Sequence, residues 1–370
     1  MKILHFILGK ANPNRANGVN QVIYGLAKYQ SLQGHQVYVV GISKSMSTPF
    51  EEVDRGYFKV EAFKSFDMGG LQRIKELATN VDIVHLHGVW SMLNVKVGKY
   101  LKSINKPYII TAHCGYAIDR LKQSNYWAKL TYHYFWQKHL YEHSAGIHAL
   151  TREESTDIAK FCKHNNIFVV NNGVDSEVYD KYQYQLHHRE KIRFGYLGRL
   201  SVEKNINNLI LAYNALPKRY KDRTELYLIG PLDDKSKLFE AIVNQKGLSN
   251  NIRFIGGKYG DDKIKELLDL DIYIHPAYSD VVGISVMEAI ALGIPCIVTR
   301  TSHVSYFYQS KAFIMVEPTY FDLCRGMQEA IERKKEWSEI SINAKHLYND
   351  VFNWNTAVKN IIEQYKKVAF

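Results

Sequence analysis

Asp271-Ile-Tyr-Ile-His-Pro-Ala-Tyr-Ser-Asp-Val-Val-Gly-Ile-Ser-Val-Met-Glu-Ala-Ile-Ala-Leu-Gly-Ile-Pro-Cys-Ile-Val298 is the stretch on which the fold turns. A short apolar strand, from Asp271 to His275, leads into a loop from Pro276 to Gly283. A helix is expected from near Ser285 to about Leu292. Gly293 and then Pro295 stop it, as a glycine cap and a trailing proline do. Pro295 to Val298 reads as the next strand. The product is a strand–loop–helix–strand unit, a building block of a parallel α/β sheet.

Two carboxylates flank the loop: Asp280 lies within it and Glu288 in the first helical turn. Between them Gly283, Ile284 and Ser285 offer backbone N–H groups at a helix start. Unpaired donors and partial positive charge there suit a phosphate or a sugar hydroxyl. Ser285-Val-Met-Glu288 also fits a capping box, in which serine and glutamate satisfy each other's backbone donors. The pattern alone leaves both readings open.

The stretch resembles the glutamate–seven residues–glutamate signature of retaining GT-B glycosyltransferases of the group-1 set, glycosyltransferase family 4. Asp280-Val-Val-Gly283 stands where that family shows Glu-Gly-Phe-Gly, and Met287-Glu-Ala-Ile-Ala291 where it shows Leu-Glu-Ala-Met-Ala. The spacing is kept, the first acid is shortened to aspartate, and the phenylalanine is Val282. The resemblance implies that Asp280 touches the donor sugar and that Glu288 holds the ribose.

A chain of 370 residues, 46% of them hydrophobic, has the length and apolar content of two domains. The net charge is +11 and the pI about 9.2. The excess sits in the first half: residues 1–175 hold 21 Lys/Arg against 13 Asp/Glu, and residues 176–370 hold 27 against 24. That balance suits an anionic membrane surface, an anionic acceptor or nucleic acid. Cys114, Cys162, Cys296 and Cys324 form no Cys-x-x-Cys pair, so neither a disulfide framework nor a zinc site is expected, and a reducing cytoplasm fits. No secretory signal is evident and no apolar run reaches about 20 residues.

From the N-terminus, Lys2 to Leu8 reads as a strand covered on both faces. A loop to Gly18, a helix from Val19 to Gln33 and a strand from Gln36 to Val40 complete a βαβ unit. Asn17-Gly18 opens the helix where the family carries Gly-Gly. The resemblance implies that Gly18 lets the helix end approach the donor diphosphate. Lys59 to Phe66 is expected as a strand, and Asp82 to Gly88 as another. His85 and His87 on the latter alternate along the strand and could suggest a metal. No third ligand is identifiable, and a structural or acceptor-facing role is expected instead. Pro107 to His113 is the next strand. A family histidine after this strand lies beside the donor sugar, and His113 matches it; packing at a strand end is the alternative. Asn125 to His143 is expected as a long helix in which Tyr126, Trp127, Tyr132, Tyr134, Phe135, Trp136 and Tyr141 are interleaved with Lys129 and Lys138. One face must be core; the remainder suits a membrane interface or a lipid-linked acceptor. Thr151, with Glu154 three residues on, caps a further helix.

Asn171-Asn-Gly-Val-Asp175 resembles the family's inter-domain turn, and the polar run from Asp180 to Lys191 reads as the linker. The second half restarts at Ile192 to Leu197. Gly198-Arg199-Leu-Ser-Val-Glu-Lys204 follows, similar to the family's Gly-Arg-x-x-x-x-Lys motif. Arg199 and Lys204 there can both donate to phosphate oxygens, the arginine as a planar fork. The resemblance implies that loops after the next two strands hold the nucleotide base, with Gly230, Lys258 and Tyr259 as candidates. Phe352-Asn-Trp354 and the helix beyond it resemble the family's last helix, which crosses back onto the first domain.

The expected fold is α/β: two Rossmann-like domains with mostly parallel sheets facing across a cleft. Residues 1–175 would bind acceptor, 176–350 the nucleotide sugar, and 351–370 would cross back. The expected reaction moves a hexose, with retention, from a UDP- or GDP-sugar to a hydroxyl of a saccharide or lipid-linked acceptor in surface polysaccharide synthesis (lipopolysaccharide or capsule). Catalytic roles fall to His113, Arg199, Lys204 and Asp280. Donor binding falls to Gly18, Arg199, Lys204, Gly230, Lys258, Tyr259, Asp280, Gly283, Ile284, Ser285 and Glu288. No metal or cofactor beyond the co-substrate is expected. The protein is expected in the cytoplasm, at most peripheral on its membrane. A GT-B nucleotide-sugar 2-epimerase is the alternative. A basic nucleic-acid-binding protein is a further one, but no aromatic–basic platform or helix-turn-helix supports it.

Overall fold

The computed structural model describes residues 1–8, 18–65, 69–118, 121 and 125–370. The loop expected before Gly18, Asn17 included, lies outside these residues. The chain divides into two compact units, Met1–Gly173 with Trp354–Phe370, and Val174–Asn353.

The first unit holds strands β1 (Lys2–Leu8), β2 (Gln36–Ile42), β3 (Phe50–Asp54), β4 (Lys59–Phe63), β5 (Ile83–His87), β6 (Tyr108–Thr111), β7 (Gly146–Ala149) and β8 (Ile167–Val169). They form one sheet in the order β3-β4-β2-β1-β5-β6-β7-β8. All described pairings are parallel except β3 with β4. Central strands are covered on both faces, as in parallel sheets flanked by helices; β5 is buried along its whole length, its two histidines included. The strand expected to reach Phe66 ends at Phe63, and its antiparallel partner β3 was not anticipated. Phe50-Glu-Glu-Val-Asp54 is acid-rich and half exposed, as suits an edge strand protected from further pairing.

The helix Trp354–Ala369 packs in this unit against the helix Gly18–Leu32. Gly25 leaves the space the Trp354 indole fills: a Cβ there would stand 2.3 Å from Trp354 Nε1.

The second unit holds β9 (Ile192–Leu197), β10 (Thr224–Ile229), β11 (Ile252–Phe254), β12 (Ile272–His275), β13 (Cys296–Thr299) and β14 (Phe313–Val316). Their order is β11-β10-β9-β12-β13-β14, all parallel. The order reverses between β9 and β12, and ligands in such sheets bind beyond the carboxyl ends of the strands at that point. The helix Ile284–Leu292 is buried from Val286 onward, as an all-round apolar helix must be. Gly293 ends it at φ +84°.

The run from Asp180 to Lys191, expected as a linker, is instead part of this unit. Tyr184 is buried and its hydroxyl donates to Asp271 O at 3.2 Å. His187 and Arg189 bond the carbonyls of Leu268 and Asp269. A polar composition concealed one buried tyrosine and a set of backbone acceptors for the charged residues around it.

Candidate active site

The loops after β9 and β12 meet at the point where the strand order reverses. Tyr196, fully buried, donates its hydroxyl to Arg199 O at 3.0 Å and so holds the first loop. A Cβ on Gly230, just after β10, would stand 2.1 Å from Gly198 O, so that loop tolerates only glycine beside it. The Arg199 side chain is exposed and, among the described residues, makes no ion pair. A turn of 3-10 helix, Val202–Lys204, then ends at Asn205, which is buried with φ +61°. Its Nδ2 donates to Pro276 O at 2.8 Å and Pro318 O at 2.9 Å, stapling this loop to the one after β12.

That staple places the Lys204 ammonium on Asp280 Oδ2, in an ion pair with both side chains mostly covered. His275, buried at the end of β12, donates Nε2–H to the same oxygen at 3.1 Å. The Asp280 backbone N–H bonds Thr301 O at 3.1 Å, and that of Val282 bonds Ser302 O at 3.1 Å. Val282 adopts φ +33°, strained for a β-branched residue. Burial disfavours charge on Asp280, but the His275 hydrogen bond and the Lys204 charge outweigh it and hold the carboxyl far below the usual range. Burial lowers His275, against the opposing pull of Asp280.

Gly283 caps the helix without a side-chain hydrogen bond. A Cβ on it would stand 2.9 Å from Asp280 Oδ2 and 3.0 Å from His275 Cε1. The capping box open to Ser285 and Glu288 does not form. Ser285 Oγ instead accepts from the buried Tyr273 hydroxyl at 2.8 Å, and Glu288 Oε1 takes Lys263 Nζ at 2.6 Å. Burial, then the charge and hydrogen bond of Glu288, push the Tyr179 hydroxyl far up.

Lys204, Asp280, Gly283, Ile284 and Ser285 therefore cluster, with Glu288 one turn along the same helix and Arg199 at the head of the adjoining loop. Lys258 pairs with Glu266 at 3.0 Å and Tyr259 is 69% exposed; neither contacts the Lys204–Asp280 pair. His275, Tyr273 and Lys263 were missed from the sequence. A histidine at a strand's carboxyl end, five residues before the loop acid, was the available signal for the first.

Gly18 and His113 belong to the first unit. Gly18 is the first residue of its helix. His113 follows β6 at φ +49° and Cys114 follows at φ +65°, both in the left-handed region. The Glu154 carboxylate, fully buried, accepts from Cys114 N–H at 2.6 Å and from Leu150 N–H at 2.7 Å. It thereby pins this turn from forty residues away; the sequence had marked Glu154 only as a cap. Thr151 does cap the helix, accepting from Glu154 N–H at 3.1 Å.

His85 and His87 are buried, and His5 on β1 supplies the third histidine that the sequence did not identify: ligand-capable atoms of the three lie within 4.8 Å of one another. The helix expected from Asn125 to His143 runs Tyr126–Tyr132, passes through a π-helical turn His133–Gln137, and ends at Lys138–Glu142. Tyr141 is core, while Trp127, Tyr134, Phe135 and Trp136 are exposed. Phe135, Trp136 and Leu140 line a mostly apolar cavity of about 240 Å³ edged by Lys99 and Lys102. Among the described residues no helix is long and apolar enough to cross a membrane.

Residues 180–347 match the family model for glycosyl transferases group 1, and residues 16–178 that for glycosyltransferase family 4. The chain is 30% identical over 155 residues to the lipopolysaccharide glucosyltransferase WaaG of Escherichia coli strain K12. That match covers 40% of this chain and 38% of WaaG. In fold the chain is similar to sucrose-phosphate synthase from Thermosynechococcus elongatus, at TM-score 0.81 and 16% identity over 99% of both chains. It is also similar to HepE from Anabaena, solved in complex with UDP, at TM-score 0.77 and 17% identity over 99% of this chain and 100% of that one. The two structures speak for the fold, two α/β units with mostly parallel sheets.

Proposed function

Because this chain belongs to the group-1 glycosyltransferases, we propose that it moves a hexose, with retention, from a UDP- or GDP-sugar to a hydroxyl of a saccharide or lipid-linked acceptor. The setting we propose is bacterial surface polysaccharide synthesis in the cytoplasm. The observation that carries the reading is the meeting of Lys204, Asp280 and the start of the Ile284–Leu292 helix at the carboxyl edge of β9 and β12, with Arg199 on the same loop as Lys204.

The chemistry follows from charge. Breaking the anomeric bond leaves a diphosphate whose negative charge grows in the transition state. A guanidinium, an ammonium and helix N–H groups brought to it stabilise that charge without a metal. Among the described residues Lys204 pairs with Asp280 and no other carboxylate, so an arriving diphosphate competes with Asp280 for it, and the aspartate is then released toward the sugar hydroxyls. Glu288, seated by Lys263, faces the ribose, and His113 serves the sugar. Gly230, Lys258 and Tyr259 lie on the loops assigned to the base, Gly18 at the helix start assigned to the diphosphate. The exposed Trp127, Tyr134, Phe135 and Trp136, with Lys99 and Lys102, form the surface for an anionic membrane or lipid-linked acceptor.

A panel of UDP- and GDP-sugars, scored for nucleotide release with and without lipid acceptors and with EDTA, tests the assignment. Arg199→Ala and Lys204→Ala should each cut release by roughly a hundredfold or more. Near-normal turnover by the double variant, or metal-reversible loss in EDTA, would overturn the mechanism.

A further inference from the structure

A chain of histidines in the first unit runs from its core to His113. His5 lies on β1, His87 on the neighbouring β5, and His113 just past β6, the next strand over. His5 Nε2 meets Gln30 Oε1 at 2.7 Å. His5 Nδ1 meets His87 Nε2 at 2.9 Å, and His87 Nδ1 meets His113 Nε2 at 3.0 Å. His5 and His87 are fully buried, and each spends both ring nitrogens on this chain.

A neutral imidazole has one donor and one acceptor nitrogen. With the Gln30 amide turned so that its oxygen meets His5, that oxygen only accepts, so His5 Nε2 donates to it and His5 Nδ1 accepts. His87 must then donate from Nε2 and accept at Nδ1, which makes His113 the donor at Nε2. Each step forces the next, and the acceptor nitrogen of His113 is thereby Nδ1. Burial keeps the interior rings uncharged: it pushes His5 down to about 4 and His87 well below its ordinary value.

We propose that His87 and His5 are positioning residues for the transfer reaction, fixing the tautomer and ring orientation of His113 through this hydrogen-bonded chain. The proposal rests on the reading of His113 as a contact of the donor sugar. Glu154 fixes the backbone of the same turn through Cys114 N–H, so ring and backbone are held from separate elements. Whatever polar group meets His113 at Nδ1 must donate to it, as a sugar hydroxyl can.

A second branch does not reach His113. His85 Nε2 bonds Thr111 Oγ1 at 2.6 Å, Thr111 bonds His148 Nδ1 at 2.8 Å, and His148 Nε2 donates to Val170 O at 2.8 Å. Nor do the three clustered histidines make a ready cation site. Two imidazoles on one tetrahedral ion at about 2.0–2.1 Å each would sit roughly 3.3 Å apart with both lone pairs turned to it. Here His5 and His87 share a proton at 2.9 Å.

Nitrogen-15 NMR of histidine-labelled full-length protein tests the chain directly, with the His113 signals assigned by their loss in His113→Ala. Wild type should show His113 protonated at Nε2. In His87→Asn the amide oxygen falls near the place of Nδ1 and can still accept from His113; in His87→Gln the polar atoms fall near Nε2 instead. The tautomer should persist in His87→Asn and be lost in His87→Gln. Nucleotide release from UDP-glucose or GDP-mannose, whichever the wild type turns over, should fall less in His87→Asn. It should fall roughly tenfold or more further in His87→Gln, as when a reacting imidazole loses the partner that fixes its tautomer. A merely structural role predicts the reverse order, because glutamine matches the volume of histidine better. A wild-type His113 protonated at Nδ1 overturns the proposal even if neither variant folds, as do equal effects of the two variants or a stoichiometric metal in the purified protein. Unimpaired turnover by His113→Ala would remove its sugar contact alone, leaving the NMR result to decide the chain.

Discussion

Lys204 and His275 converge on a single atom, Asp280 Oδ2: the ammonium ion-pairs with it and the imidazole donates to it at 3.1 Å. A carboxylate that serves two donors cannot be removed without leaving one cation short of a counter-charge. Asp280→Asn should therefore lower stability on the order of 1–3 kcal/mol by urea unfolding. It should leave affinity for UDP or GDP unchanged or improved, because Lys204 is freed for phosphate, while turnover of the sugar donor falls. Calorimetry showing nucleotide affinity lost in step with turnover would contradict this division.

Glu288→Gln acts on the neighbouring pair. It removes the charge that seats Lys263 and that faces the Tyr179 hydroxyl, while keeping one oxygen able to accept. Nucleotide affinity should drop about tenfold or more, with the sugar selectivity of the residual activity unchanged. A variant that binds UDP and GDP as wild type does would detach Glu288 from the ribose.

Glycine at 283 is required by space. A Cβ there meets Asp280 Oδ2 at 2.9 Å and His275 Cε1 at 3.0 Å, so Gly283→Ala must displace one of them. Turnover should fall at least tenfold, for a stability change of about 1–3 kcal/mol. Gly230→Ala, whose Cβ would meet backbone at 2.1 Å, should lose more stability than Gly283→Ala. The opposite ranking in thermal melts would contradict the packing described.

Acid should unfold the protein earlier than its carboxylates alone would require. Burial lowers His5 and His148 from 6.5 to about 4 in the folded chain. The unfolded chain then binds more protons between those values, so their contribution is complete above pH 6.5 and is lost as pH falls toward 4. Each group contributes up to about 1.4 kcal/mol per pH unit in that window. Asp280, whose folded value is depressed, adds a further loss only below its ordinary 3.8. Melting temperatures should decline from pH 6.5 to 4.5, and a flat profile there would contradict the neutral histidine core.

Local pattern made the strand–loop–helix–strand at 271–298 readable, because apolar period, glycine and proline each act within a few residues. The loop from Gly198 to Lys204 was legible for the same reason, as the turn that follows an apolar strand. The partners that hold these residues were not. His275 and Asp280 are near in sequence but meet only because the Asn205 staple and the Thr301 and Ser302 carbonyls fold the loop back. Lys263 reaches Glu288 from another helix, and Glu154 reaches Cys114 across forty residues. Ser285 shows the limit most plainly: its local pattern spells a capping box, yet the Tyr273 hydroxyl takes its oxygen first. Which polar groups face each other across parallel strands is set by register, and His5, His85 and His87 gave no sign of it in one dimension.

The Trp354 indole filling the space above Gly25, and the Tyr365 hydroxyl bonded to His85 Nδ1 at 2.5 Å, tie residues 354–370 into the first unit. In order of synthesis that segment follows all of Val174–Asn353. The first unit must therefore wait, its histidine interior open on one side, while the second is made and can close by itself. Loss of the Trp354–Ala369 helix should leave the first unit unfinished and the second intact, and a fragment ending at Gly173 should need residues 354–370 joined to it to fold.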